Sequence, residues 1–172
     1  MAETTTRRLR RPLGTFAGFV AAGLIIAASS PPLLAQSAQD QLWDAAQTGD
    51  TAAITVALDA GANIDSLDVR RNRNGRRALN WAAWYNQTAA IELLLASGAG
   101  IDLVNVTGFS PLHHAAESGS VEAAVVLIAA GADVNLPNVA GATPLDTAVE
   151  QENWDVVEVL VENGAKESDE ID

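Results

Sequence analysis

His113 and His114 are the only imidazoles in a chain of 172 residues that contains no cysteine. Neighbours on a helix lie about 100° apart around its axis, so this pair does not close easily on one metal ion, as histidines at i and i+4 do. Ser110 and Ser118 stand close by. A nucleophilic serine needs a base and a third group to orient that base, and no such set exists beyond the histidine pair itself. Glycine-rich phosphate loops, zinc-ligand spacings and a calcium-binding ladder of carboxylates are absent. Without cysteine there is no disulfide, no thiolate nucleophile and no Cys-bound metal. These observations predict no enzymatic activity, no catalytic residue, no cofactor and no metal site.

Recognition is the remaining chemistry. Arg70, Arg71, Arg73, Arg76 and Arg77 fall within eight positions, and from Ala78 to Asp172 there are 15 acids against one base, Lys166. The whole chain carries a net charge of -12 with pI near 4.4, which argues against nucleic acid as a partner. Trp84 and Tyr85 follow the arginines, and Phe109 comes later. Trp, Tyr and Arg dominate protein-binding hot spots. Glu117, Glu150 and Glu152 give the same region an acidic second half, so a partner with matching charge order would be steered into register.

These side chains need a scaffold, and the scaffold is periodic. Gly-Ala recurs at Gly98, Gly131 and Gly164, each 33 residues apart, and Gly75, Gly108 and Gly141 keep the same beat. An earlier copy, Leu42–Ala46 with Gly61-Ala62, is offset by 37, so four residues are inserted between Gly61 and Gly75. The arginines lie there. Each unit reads as two helices and a turn-rich loop. Ser110-Pro111 and Thr143-Pro144 begin first helices, and apolar residues at i, i+3 and i+4 mark the second. The glycine of Gly-Ala then ends the second helix in the left-handed conformation. One such unit cannot bury its own apolar face and must stack on neighbours. Polar residues Gln41, Asp44 and Thr48 on the first copy, and Asp155, Glu158 and Glu162 on the last, fit the two ends of such an array.

The run Gly108-Phe109-Ser110-Pro111-Leu112-His113-His114-Ala115-Ala116-Glu117-Ser118-Gly119, with Gly131-Ala132-Asp133-Val134-Asn135 beyond it, resembles the ankyrin repeat. The similarity extends from about Asp40 to Ala165. Asp146 departs from the motif histidine, Glu152 from its glycine, and Arg77-Ala78 from its Thr-Pro, which leaves the second copy without that cap. The resemblance implies an all-α solenoid of four repeats, at about 39–70, 75–105, 108–138 and 141–168, within a domain spanning 38–172. It implies that His113 makes structural hydrogen bonds and that His114 faces inward. It also implies docking of a protein partner in the concave groove, on the loop tips and the exposed ends of the first helices. Mapped onto this chain, the binding residues would be Arg70, Arg71, Arg73, Arg76, Trp84, Tyr85, Phe109, Glu117, Ser118 and Glu150.

Residues 1–37 read as a secretory signal peptide. Arg7, Arg8, Arg10 and Arg11 precede an apolar stretch, Leu13 to Ala28, and small residues allow cleavage after Ala35 or Ser37. As a helix that stretch spans about 24 Å, short of the ~30 Å hydrocarbon core. Thr6-Arg7-Arg8-Leu9 is similar to the start of a twin-arginine signal, yet Arg10 and Arg11 stand where that signal prefers apolar residues, so both export routes stay open. The expectation is a bacterial periplasmic or secreted monomer, free of the membrane after cleavage. Two alternatives are an acidic protein binding a small ligand or divalent cation, and a membrane-tethered adaptor that keeps its leader.

Overall fold

The structure, a computed structural model, describes residues 36–70 and 75–171. The leader reading, apart from Gln36 and Ser37, therefore lies outside the described residues, as do Arg71 and Arg73. Eight α-helices occur among them: α1 (Ala38–Thr48), α2 (Thr51–Asp59), α3 (Ala78–Trp84), α4 (Thr88–Ala96), α5 (Pro111–Ser118), α6 (Val121–Ala129), α7 (Pro144–Glu150) and α8 (Trp154–Glu162). First helices α1, α3, α5 and α7 pack one on the next, and second helices α2, α4, α6 and α8 do the same. The result is a two-layer, all-α repeat solenoid. Ile54, Ile91, Leu94, Leu112, Leu127 and Leu160 are fully buried, each contributing about 2 kcal/mol of burial. Alanines at 45–46, 82–83, 115–116 and 148 carry no side chain beyond Cβ, which lets the first helices approach closely.

Local chemistry sets the ends of these helices. The hydroxyls of Ser110 and Thr143 accept from the backbone of His113 and Asp146, and Pro111 and Pro144 occupy positions where no N–H is needed. Arg77 has no such hydroxyl. Half of the function is restored from the other side, because Asn80 Oδ1 accepts the Arg77 N–H at 2.8 Å. The turn after each first helix requires a left-handed residue, filled by Gly49, Asn86, Gly119 and Glu152 in successive repeats. Asn86 uses its side chain to accept the Ala123 N–H at 2.8 Å. Glu152, at φ 57°, carries the steric penalty of that conformation without such a bond.

Successive repeats are tied by bonds that recur at equivalent positions. The residue opening the second helix reaches back to an end carbonyl of the preceding first helix. Gln87 Nε2 donates to Gln47 O (3.3 Å), the Ser120 hydroxyl to Trp84 O (3.1 Å), and Asn153 Nδ2 to Ala116 O and Glu117 O (2.7 and 3.2 Å). Carbonyls in a helix's last turn have no partner inside the helix, so each of these bonds satisfies an orphan group. A second ladder joins the loops: Asp65, Asp102 and Asn135 accept the backbone N–H of Gly100, Asp133 and Lys166. In the first repeat Gln39 supplies the equivalent acceptor, taking the Asn63 N–H at 2.9 Å.

The four-residue insertion falls between Asp68 and Arg76 in the sequence. Asn105 N–H donates to Phe109 O at 3.0 Å and Asn138 N–H to Ala142 O at 2.8 Å, each closing a tight hairpin-like turn. The equivalent pair in the lengthened loop is Asp68 and Arg76, joined by two backbone bonds of 2.8 and 3.3 Å. Adjacent tips also touch. Val139 N–H donates to Thr107 O, and a Cβ on Gly108 would lie 2.4 Å from Val139 N, so only glycine fits.

Two substitutions separate these contributions. Asn153→Ala removes both bonds to α5 and is expected to lower stability by about 1–2 kcal/mol. Glu152→Gly relieves the left-handed strain next to it and is expected to add up to about 1 kcal/mol. Urea midpoints of the two variants check both signs, and a lower midpoint for Glu152→Gly would contradict the strain argument.

Candidate partner-binding surface

The lengthened loop and the α3–α5 helix pair bring together five of the expected binding residues: Arg76, Trp84, Tyr85, Phe109 and Glu117. Arg76 is the centre. Its guanidinium lies 4.6 Å from the Trp81 ring centroid and 4.2 Å from that of Trp84, and 3.9 Å from Glu117 Oε2. Burial pulls its pKa down against the opposing pull of Glu117. Tyr85 stacks on Trp81 at 6.0 Å with its ring exposed. Trp84, half-buried, meets His114 edge-on at 6.0 Å. Phe109 lies 5.3 and 5.5 Å from His113 and His114.

Below the aromatic layer sit the two histidines, both fully buried. His113 Nε2 bonds Ala142 O at 3.1 Å across to the next repeat. A carbonyl only accepts, so Nε2 carries the proton and Nδ1 accepts from the Ser110 N–H and hydroxyl. Asn80, the equivalent residue one repeat earlier, leaves its Nδ2 without a partner. His114 Nδ1 lies 3.2 Å from Glu117 Oε2, and its buried Nε2 finds no partner. Burial, reinforced by Arg76 and opposed by Glu117, lowers the His114 pKa. Burial likewise pushes His113 down to about 4.

Arg70 stands apart, over the first repeat. It pairs with Asp40, Asp44 and Asp68, each at 2.9 Å, and covers the Trp43 ring at 4.8 Å. Its bond to Asp68 raises its pKa. Burial pushes the Asp68 carboxyl upward, but bonds from Arg70 and from Trp81 Nε1 outweigh this and leave it below the ordinary value. Arg77, not among the expected binding residues, donates to the carbonyls of Asp65 and Val104. Ser118 spends its hydroxyl on His114 O at 2.8 Å and on Ser120. Glu150 is exposed at the end of α7. Sequence reasoning missed that Trp43, Trp81 and Asp68 anchor the arginines. The signal was available in the Asp68-Val69-Arg70 sequence, which matches Asn105-Val106 and Asn138-Val139 in later loops.

Among the described residues no group of three or more His, Asp or Glu side chains converges to hold a metal, and no helix is long and apolar enough to cross a membrane. Two family models, both of ankyrin repeats, match residues 42–95 and 90–170, together most of the chain. The chain therefore belongs to the ankyrin-repeat family, whose members are generally non-enzymatic protein-interaction modules. It is similar to an ankyrin repeat domain-containing protein, SAT10, of Stachybotrys chartarum, with 38% identity over 84 residues. It is also similar to the B-cell lymphoma 3 protein homolog of Mus musculus, with 35% identity over 75 residues. These matches cover 49% and 44% of this chain but only 4% and 16% of those proteins.

The buried neutral histidines make stability pH-dependent. His113 in the unfolded chain takes up a proton near pH 6.5, and in the folded protein only near 4. Its contribution is complete above pH 6.5 and is lost as pH falls toward 4, a loss of roughly 3 kcal/mol. His114 acts in the same direction. His113→Asn, which copies Asn80, is expected to flatten the fall in urea midpoint across this window. An unchanged slope would remove His113 as its source.

Proposed function

We propose that this chain is an exported, monomeric interaction module that binds a protein partner through the groove formed by its first helices and loop tips. The observation that carries the reading is the cluster of Arg76, Trp84, Tyr85, Phe109 and Glu117, held by stacking and ion pairing before any partner arrives. Side chains fixed in advance lose little freedom on docking, so more of the contact energy remains as affinity. Arg71 and Arg73 would pair with the acidic part of the partner, and Glu117 and Glu150 with its basic part. Ser118 contributes shape, since its hydroxyl is already bonded within α5. Arg70 acts at one remove, by fastening the loop to the first repeat.

The test is capture of a partner from the periplasmic or secreted fraction by the wild-type protein and by a Trp84→Ala/Tyr85→Ala variant. A hot spot of 2 kcal/mol or more corresponds to at least roughly 30-fold weaker binding. Binding that survives both changes in a folded variant rules out the groove.

Export is part of the proposal, supported by the basic, apolar and small-residue order of residues 1–37. Expressed in a bacterial host, the protein is expected in the periplasm or medium with an intact mass starting at Gln36 or Ala38. A mass retaining Met1 in the membrane fraction would instead support a tethered adaptor.

A further inference from the structure

The tryptophans of the first two repeats are each covered by a cation of the same chain. Arg70 lies over Trp43, and Arg76 over Trp81 and Trp84, at 4.2–4.8 Å. In both places carboxylates stand behind the guanidinium: Asp40, Asp44 and Asp68 for Arg70, and Glu117 for Arg76. The molecule thus uses one arrangement twice, an indole face in front and a carboxylate behind.

Trp154 has the indole and the carboxylates. It opens α8 with 61% of its surface exposed, and lines a cleft of about 210 Å³ with Gly119, Glu152, Asn153, Asp155 and Val156. Glu152 and Asp155 are exposed, and neither makes an ion pair among the described residues. No described cation of the chain covers this ring, and Lys166 is the only base after Arg77. Asn153 is not a rival for the cleft, because its amide is spent on the carbonyls of Ala116 and Glu117.

We infer that this cleft receives an arginine of the protein partner, its guanidinium over Trp154 and its N–H groups toward Glu152 and Asp155. The inference rests on the reading of the chain as a partner-binding module and gives the chemistry of the partner's basic part. A guanidinium fits better than an ammonium because it is planar, weakly hydrated and stacks on indole while still donating in its own plane.

The experiment uses the isotope-labelled protein and two synthetic peptides, acetyl-Gly-Ser-Arg-Gly-Ser-amide and the same peptide with citrulline in place of arginine. Citrulline keeps the shape and loses the charge. The arginine peptide is expected to move the Trp154 indole N–H resonance saturably, together with backbone amides of Glu152 to Val156, and the citrulline peptide to leave them in place. Trp154→Leu should abolish the amide shifts, and Glu152→Gln/Asp155→Asn should weaken binding at least about threefold. Both replace exposed side chains, and thermal melts establish that the variants are folded. Equal shifts with citrulline, binding unchanged in either variant, or shifts scattered over the whole acidic surface would each overturn the inference. Trp84→Ala/Tyr85→Ala should leave these peptide shifts intact, so failure of the groove and failure of the cleft are read separately.

Discussion

A side-chain amide or hydroxyl at the start of the second helix in repeats two to four, donating to a carbonyl at the end of the preceding repeat's first helix, is the contact on which the rest of the stack depends. Gln87, Ser120 and Asn153 are chemically unlike, yet each does this at the same place. The bond fixes both spacing and rotation between repeats, because a carbonyl at a helix end points along the axis and accepts only from a donor placed there. Apolar burial favours stacking in general but is tolerant of sliding. The directional bonds choose one register, and in that register Trp84, under Arg76 of its own repeat, lies beside His114 of the next.

The electrostatics follow from that register. A buried carboxylate such as Asp68 is tolerable only with partners, and the lengthened loop provides Arg70 while α3 provides the Trp81 indole N–H. A guanidinium packed between two indoles would likewise be poorly placed in an apolar site, and Glu117 compensates from the neighbouring repeat. The arginines that look in the sequence like a free basic patch are therefore partly internal fasteners. Arg70, Arg76 and Arg77 each have partners within the chain. What remains open around α5, α7 and α8 is acidic and aromatic.

Much of this was legible in the residue string. The period of 33, the Ser-Pro and Thr-Pro caps and the Gly-Ala stops predict four helix pairs, and eight α-helices stand among the described residues. Those signals are local, and local signals survive in a one-dimensional reading. The absence of a Thr-Pro cap in the second repeat was also visible, but not its repair by Asn80, which depends on a side-chain rotamer. Hidden too was the pairing of Arg70 with Asp40 and Asp44, some 26 to 30 residues away, because charge patterning along a chain does not reveal which charges meet. The surface residues sort by the same rule: Tyr85 and Glu150 are exposed as their positions imply, whereas Ser118 is turned to its own helix by a bond that its type permits but does not require.

The paired backbone bonds between Asp68 and Arg76 separate two things that loops usually confound, the length of a connection and the geometry of what it connects. The added residues fall between the two halves of that clasp in the chain, and the helices on either side pack in the same order as those of the other repeats. A clasp of this kind makes the tip a place where new residues are admitted without retuning the array, so variation in what the molecule grips need not disturb how it stands.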